Sequence, residues 1–210
     1  ETEMLARAIG IPHAVVDTRE MDNPAYAAND ALRCFYCKEE LAGKLWEEAR
    51  RRGFGAVLLG NIADDAFDDR PGIEAARQGG ARSPFLEFGL TKAEVRSWAR
   101  ELDLPNWDKP AAACLASRIA RGERVTPEKL DRVGRAEAFI RTATGIRQLR
   151  VRLQGDAARI EVEEADLPRL LAARGPVLGA LKGLGFASVS MDLAGYPSAS
   201  LRATANTVRA

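Results

Sequence analysis

Cysteine and histidine are scarce in this chain, with three cysteines and one histidine in 210 residues. Three is an odd number, and a chain of this length can bury its own core, so a disulfide-stapled miniature is excluded. No apolar run is long enough to span a bilayer and no secretory h-region is present, which with the unpaired thiols points to a reducing, cytoplasmic setting. Charge of one sign is lacking too: 31 basic and 30 acidic residues leave a net charge of +1. That balance gives no global field for nucleic acid or an anionic membrane, so any anion recognition must be local. Internal repeats and low-complexity tracts are absent, which excludes a solenoid and a disordered arm. The lone His13 follows Pro12 at the start of a strand-like run and reads as a packing or solvent-facing residue.

What is present is alternation. A helix stopped by Gly10 opens the chain without an initiating methionine, from which a preceding segment is expected. An apolar run at 13–16, a helix from about Cys37 to Arg52, and Ala56-Val57-Leu58-Leu59 before Gly60 follow. A helix over 71–78, the segment 83–87 and a helix capped at Thr91 with Glu94 three residues on continue the pattern. Short apolar runs between amphipathic helices predict an α/β fold with a parallel sheet covered on both faces. After Pro105 and Pro110 the texture changes. A polar loop at 120–124 precedes a long helix from Thr126-Pro127 to about Thr144, then alternating strands at 148–153 and 158–162 joined at Gln154-Gly155-Asp156. Helical 167–184 with a break at Gly175-Pro176, and a strand within 186–193, complete a second, smaller α+β domain. The expected domains are 1–120 and 121–210.

All three thiols lie in two short stretches flanked by cations, Arg33-Cys34-Phe35-Tyr36-Cys37-Lys38 and Lys109 to Arg118 around Cys114. Thiolate is the nucleophilic and metal-ligating form, and neighbouring Arg or Lys stabilises it. Cys34 and Cys37 are spaced to share a metal, to form a redox pair, or to sit on one side of a helix N-terminus. Cys114 follows three alanines, small residues that let a ligand approach the backbone, and precedes Ser117 and Arg118. A reactive sulfur beside an anion-binding arginine is the expectation there.

Gly60-Asn61-Ile62-Ala63-Asp64-Asp65, with Asp68, Asp69 and Arg70 behind it, follows the most convincing apolar strand. Ligands of open α/β sheets bind at such carboxyl ends, and clustered carboxylates suit Mg²⁺ bridging phosphates; a solvated acidic turn is the open alternative. Arg147, Arg150 and Arg152 lie on and beside a strand, the last two on one face, with Glu161 on the neighbouring strand. Paired guanidiniums suit a carboxylate or phosphate, whereas a cross-strand salt-bridge face is the commoner outcome.

Several runs together resemble the LarE family: Asn23-Pro24-x-Tyr26, Arg33 to Lys38, Arg70-Pro71-Gly72, Gly89 to Arg96, Trp107-Asp108-Lys109-Pro110-Ala111-Ala112-Ala113-Cys114-Leu115-Ala116-Ser117-Arg118-Ile119, and Arg159-Ile160-Glu161-Val162. The Cys114 segment is the most specific of them. The resemblance implies a PP-loop, or nucleotide α-hydrolase, domain followed by a small family-specific domain, assembled as a hexamer. It also implies ATP- and Mg-dependent sulfur transfer to a pyridinium dicarboxylate mononucleotide, in the synthesis of the nickel-pincer cofactor of lactate racemase. A carboxylate needs such activation because it has no usable leaving group until a phosphate is attached.

By motif, the resemblance makes Cys114 the sulfur-bearing position, places Ser117 and Arg118 against the substrate or its phosphate, and puts Arg150 and Arg152 in the anion-binding second domain. Phe35, Asp64 and Asp65 fall near the nucleotide, and Glu137 and Glu161 near the substrate. Two sulfur sources occur in the family. In one, the cysteine at the Cys114 position is sacrificed and becomes dehydroalanine; in the other, three thiolates, here Cys34, Cys37 and Cys114, hold a [4Fe-4S] cluster with one open iron, the reading favoured by the cysteine count. The family's Ser-Gly-Gly-x-Asp-Ser phosphate loop has no counterpart in this sequence, so the activity is expected of a longer parent protein. Gly60-Asn61-Ile62 stands where the family has Gly-Thr-Asn, and Ile119-Ala120-Arg121-Gly122 where it has Ile-Pro-Tyr-Gly. The rival readings are a tRNA-thiolating relative, disfavoured by the missing basic stripe, and a non-catalytic binding module stabilised by metal.

Overall fold

A computed structural model describes residues 2–67, 70–110 and 113–196. The chain divides into two compact units, Glu1–Lys109 and Pro110–Ala210.

The first unit is helical among its described residues. Its helices are α1 (Thr2–Ile9), α2 (Pro24–Ala27), α3 (Arg33–Arg52), α4 (Arg70–Gln78), α5 (Pro84–Glu87) and α6 (Lys92–Glu101). The stripe Ala42, Leu45, Trp46 and Ala49, at helical spacing on α3, packs against Val57, Ala76 and Ala81. Gly79, just past α4, is required by this packing: a Cβ there would lie 2.9 Å from the Ala42 Cβ. The Thr91–Glu94 capping box starts α6, the Glu94 N–H donating to Thr91 Oγ1 at 3.3 Å and the Thr91 N–H to the Glu94 carboxylate at 2.8 Å.

The expected parallel sheet is not formed by the described residues of this unit. Residues 11–19 take no regular structure, 84–87 form α5, and the Ala56–Leu59 run contributes only an isolated parallel bridge, Leu58 with Arg82. The Arg82 N–H donates to the Val57 carbonyl at 2.9 Å and the Leu59 N–H to the Arg82 carbonyl at 2.8 Å. A strand is defined by lateral pairing, and here an apolar run finds a partner of a single residue. The whole is mixed α/β, and its named strands form one three-stranded sheet in the second unit.

That unit contains α7 (Pro127–Thr144), β1 (Leu149–Gln154), β2 (Ala157–Val162), α8 (Leu167–Ala172), α9 (Arg174–Gly183) and β3 (Ser188–Met191). Thr126 caps α7, and Gly145 closes it in the left-handed region at φ 71°. β1 pairs antiparallel with β2, and β2 parallel with β3. Leu149, Val151 and Leu153 of β1, with Ala158, Ile160 and Val162 of β2, are buried on one sheet face, as are Val133 and Ile140 of α7, Val177 and Leu181 of α9, and Phe186. The alternation puts Arg150, Arg152, Arg159 and Glu161 on the opposite face. The helical break falls at Ala173, so Pro176 lies within the first turn of α9, where its missing N–H costs nothing.

Candidate functional site

The Cys114 loop lies in the second unit. Cys114 precedes a 3₁₀ turn, Leu115–Arg118, and is exposed, whereas Ala116, Arg118 and Ile119 are buried. Ile119 then bridges in parallel to Leu153 on β1, with the Ala120 N–H donating to the Leu153 carbonyl at 3.0 Å. The chain after the thiol is thereby fixed to the sheet.

Arg118 and Glu137 form the buried centre of this arrangement, 4% and 2% exposed. Glu137 occupies a position on the apolar face of α7, beside Val133, Ala136 and Ile140, so its charge must be satisfied inside the protein. It accepts from Arg118 Nε at 2.8 Å, Arg118 Nη2 at 3.4 Å, Arg141 Nη2 at 2.8 Å and the Val151 N–H at 3.1 Å. Arg118 Nη1 turns the other way and donates to the Ala113 carbonyl at 2.9 Å, the Cys114 carbonyl at 3.2 Å and Ser117 Oγ at 3.1 Å. Every nitrogen of the Arg118 guanidinium therefore has an acceptor within the second unit.

A second clamp comes from the sheet. Arg152 Nε donates to both oxygens of Glu161 at 3.0 Å, and Nη1 to the Ser117 carbonyl at 2.8 Å. Arg159 Nη2 also donates to Glu161, at 3.0 Å, and its Nε lies 3.5 Å from Asp192. Arg150, opposite Glu161 in the ladder and 5% exposed, stacks over the Tyr196 ring at 4.5 Å. Cys114, Ser117, Arg118, Glu137, Arg150, Arg152 and Glu161, named from the sequence, thus belong to one neighbourhood. Arg141 and Tyr196 join it without a sequence expectation, and Arg159, part of a family-like run, joins it without an expected role. Arg159 had a signal, since it stands two residues before Glu161 and shares its face, and Arg141 had one in its four-residue spacing from Glu137.

In the first unit the sequence-named residues separate into two places. Cys34, Phe35 and Cys37 are half-buried at the start of α3, with Phe35 edge-on to Tyr36 at 5.9 Å. Arg33 Nη2 lies 4.0 Å from Cys34 Sγ, while Nη1 donates to the buried Asn29 side chain at 2.5 Å. In the acidic turn, Asp64 accepts from the Lys92 N–H at 2.8 Å at the head of α6, and Asp65 from the Ile62 N–H at 3.0 Å. Asp65 thus closes its own turn, while Asp64 ties that turn to the start of α6, 28 residues on. Asp68 and Asp69 lie outside the described residues. Among the described residues of either unit, no three His, Cys, Asp or Glu side chains are grouped to hold a metal ion. No described helix is long and apolar enough to cross a membrane.

The arrangement defines a class: a mixed α/β protein presenting an exposed thiol on a loop whose backbone is tied down by a buried and a half-buried arginine. No family model matches the chain. An uncharacterized protein of Synechocystis sp. is 43% identical over 203 residues, 96% of this chain and 75% of the relative. The pyridinium-3,5-bisthiocarboxylic acid mononucleotide synthase of Lactiplantibacillus plantarum is 37% identical over 170 residues, 81% of this chain and 61% of that enzyme. An uncharacterized protein of Methanocaldococcus jannaschii is 30% identical over 166 residues, 79% of this chain and 64% of the relative. The chain belongs to the LarE family.

Proposed function

We propose that the protein is an ATP-dependent sulfur transferase that converts carboxylates of a pyridinium mononucleotide to thiocarboxylates, the product for which the Lactiplantibacillus plantarum relative is named. The observation that supports this most directly is the exposed Cys114 thiol on a loop whose carbonyls are held by Arg118 and Arg152. The proposal includes a PP-loop fold for the nucleotide part, ATP with Mg²⁺ as the activating reagent, assembly as a hexamer, a cytoplasmic setting and a product destined for a nickel-pincer cofactor.

Adenylation joins the substrate carboxylate to AMP and releases pyrophosphate, giving the acyl carbon a leaving group. The Cys114 thiolate attacks that carbon and AMP departs, leaving substrate and protein joined as a thioester. A mononucleotide phosphate is suited to the arginine-bearing face of β1–β2, where Arg152 and Arg159 remain partly exposed. There Arg150, Arg152 and Arg159 outnumber the carboxylates of Glu161 and Asp192.

A [4Fe-4S] cluster would be held by Cys34 and Cys37 of the first unit together with Cys114 of the second. The sulfur step is assigned here to Cys114 itself, the exposed thiol on the clamped loop. The test is an intact-mass spectrum of the full-length protein after ATP, Mg²⁺ and the pyridinium substrate. Conversion of Cys114 to dehydroalanine, with the mass of one H₂S lost, is the expected result. Repeated iron-dependent product formation at unchanged protein mass would overturn the sacrificial route in favour of a cluster.

A further inference from the structure

The carbonyl oxygen of Cys114 receives three hydrogen bonds: from Ser117 Oγ at 2.7 Å, the Ser117 N–H at 3.0 Å and Arg118 Nη1 at 3.2 Å. A backbone carbonyl has two lone pairs, and one acceptor contact satisfies it in most turns. The Ser117 N–H is the ordinary bond of a 3₁₀ turn, and a serine hydroxyl folding back three residues is a familiar local motif. The guanidinium is an addition that neither motif calls for. Arg118 also donates to Ser117 Oγ at 3.1 Å, so the hydroxyl that binds the carbonyl is itself polarised by a cation. Glu137 holds that cation in place through two of its nitrogens.

We propose that Ser117 and Arg118 form an oxyanion hole for the Cys114 carbonyl, one that drives loss of the cysteine sulfur by β-elimination. The inference rests on the sulfur-donor reading of Cys114 and assigns these two residues to the protein's own backbone. In the thioester left by acyl transfer, a base (hydroxide or a buffer base reaching this exposed loop) removes the Cys114 Cα proton. The electron pair moves first toward the carbonyl, as an enolate whose oxygen the three donors stabilise. It then returns to form the Cα=Cβ bond as Cβ–S breaks, and sulfur leaves with the substrate as a thiocarboxylate. Residue 114 becomes dehydroalanine, and no oxidant or reductant is consumed. Donors placed where charge develops act on the transition state, and losing one slows such reactions by roughly 10²-fold.

The test needs no substrate. Every thiol of the folded protein is converted with a dibromoalkane to a cyclic sulfonium, a good leaving group, and dehydroalanine formation in mild base is followed by peptide mass mapping. Cys34 and Cys37 serve as internal references. Elimination at residue 114 is expected to be roughly 10²-fold faster in folded protein than in urea. Ser117→Ala should abolish most of that advantage, and Ser117→Thr, which keeps the hydroxyl, should restore it. Equal rates in folded and denatured protein, or an undiminished rate in Ser117→Ala, would overturn the inference. A fast, Ser117-dependent elimination in a protein that makes no dehydroalanine during turnover would instead refute the sacrificial reading and leave the oxyanion hole standing.

Discussion

Glu137 shows most plainly how one side chain ties the thiol loop to the fold. It sits where the helical periodicity of α7 demands an apolar residue, and it is tolerated there because two arginines and the Val151 N–H satisfy it. Glu137→Leu would leave the Arg118 guanidinium buried without its carboxylate, and breaking such a pair from one side costs about 3–5 kcal/mol. Urea unfolding should show a lowered midpoint at unchanged slope. Arg118→Met with Glu137→Leu removes both charges, so the double variant should be more stable than Glu137→Leu alone. A cost below about 1 kcal/mol for Glu137→Leu, the range of exposed pairs, would mean that water screens the pair. The pairing was not legible in the sequence, because the partners stand 19 residues apart. The one trace was a carboxylate at a core position. Arg150 and Arg152, by contrast, could be placed on one face from their spacing alone, since strand alternation fixes direction residue by residue.

Elements with a strong internal signal were legible, and those that depend on neighbours were not. The Thr126-Pro127 start of α7, the turn at Gly155 and the alternation of β1 and β2 each carry local information, and the structure has all three. The runs at 13–16 and 56–59 are apolar enough for buried strands, yet a strand also needs a lateral partner, which composition does not reveal. The α6 cap offers a test at this scale. Hydrogen bonds from the Thr91 hydroxyl, and then from the Thr91 N–H, hold the Glu94 carboxyl below its usual value of 4.5. A carboxyl depressed by folding adds stability that is fully present above its unfolded pKa and disappears as pH falls through its folded pKa. Amide protection in α6 should therefore weaken in that acid window. Thr91→Ala should raise the Glu94 titration midpoint toward the usual value, as read by NMR, and cost about 1 kcal/mol as a lost cap. On α4, Glu74 serves as a comparison: bonds from Arg77 and then Gln78 lower it to about 2, so it should titrate well below Glu94 in Thr91→Ala.

Across the whole molecule the two units differ in what they bury. Among the residues whose burial is described, the buried apolar ones of the first unit are Tyr26, Val57 and otherwise alanines; in the second they include Ile140, Ile146, Leu149, Val151, Leu153, Ile160, Val162, Leu181 and Phe186. An alanine removes little apolar area from water, whereas a fully buried Leu, Ile or Phe contributes about 1.5–3 kcal/mol. The second unit should therefore be the more stable one, and it is the unit that carries the Cys114 loop, both arginine clamps and their glutamates. This distribution suits a loop whose chemistry depends on donors held in place: the clamps are anchored in the part of the chain that opens last. Hydrogen exchange in increasing urea should release the amides of α3 and α4 first, and those of Ala120 and Val151, bonded to Leu153 and Glu137, only at global unfolding. If Ala120 and Val151 exchanged together with α3, the loop would be fixed no better than its surroundings, and the rigidity required of the carbonyl site would have no basis in the fold.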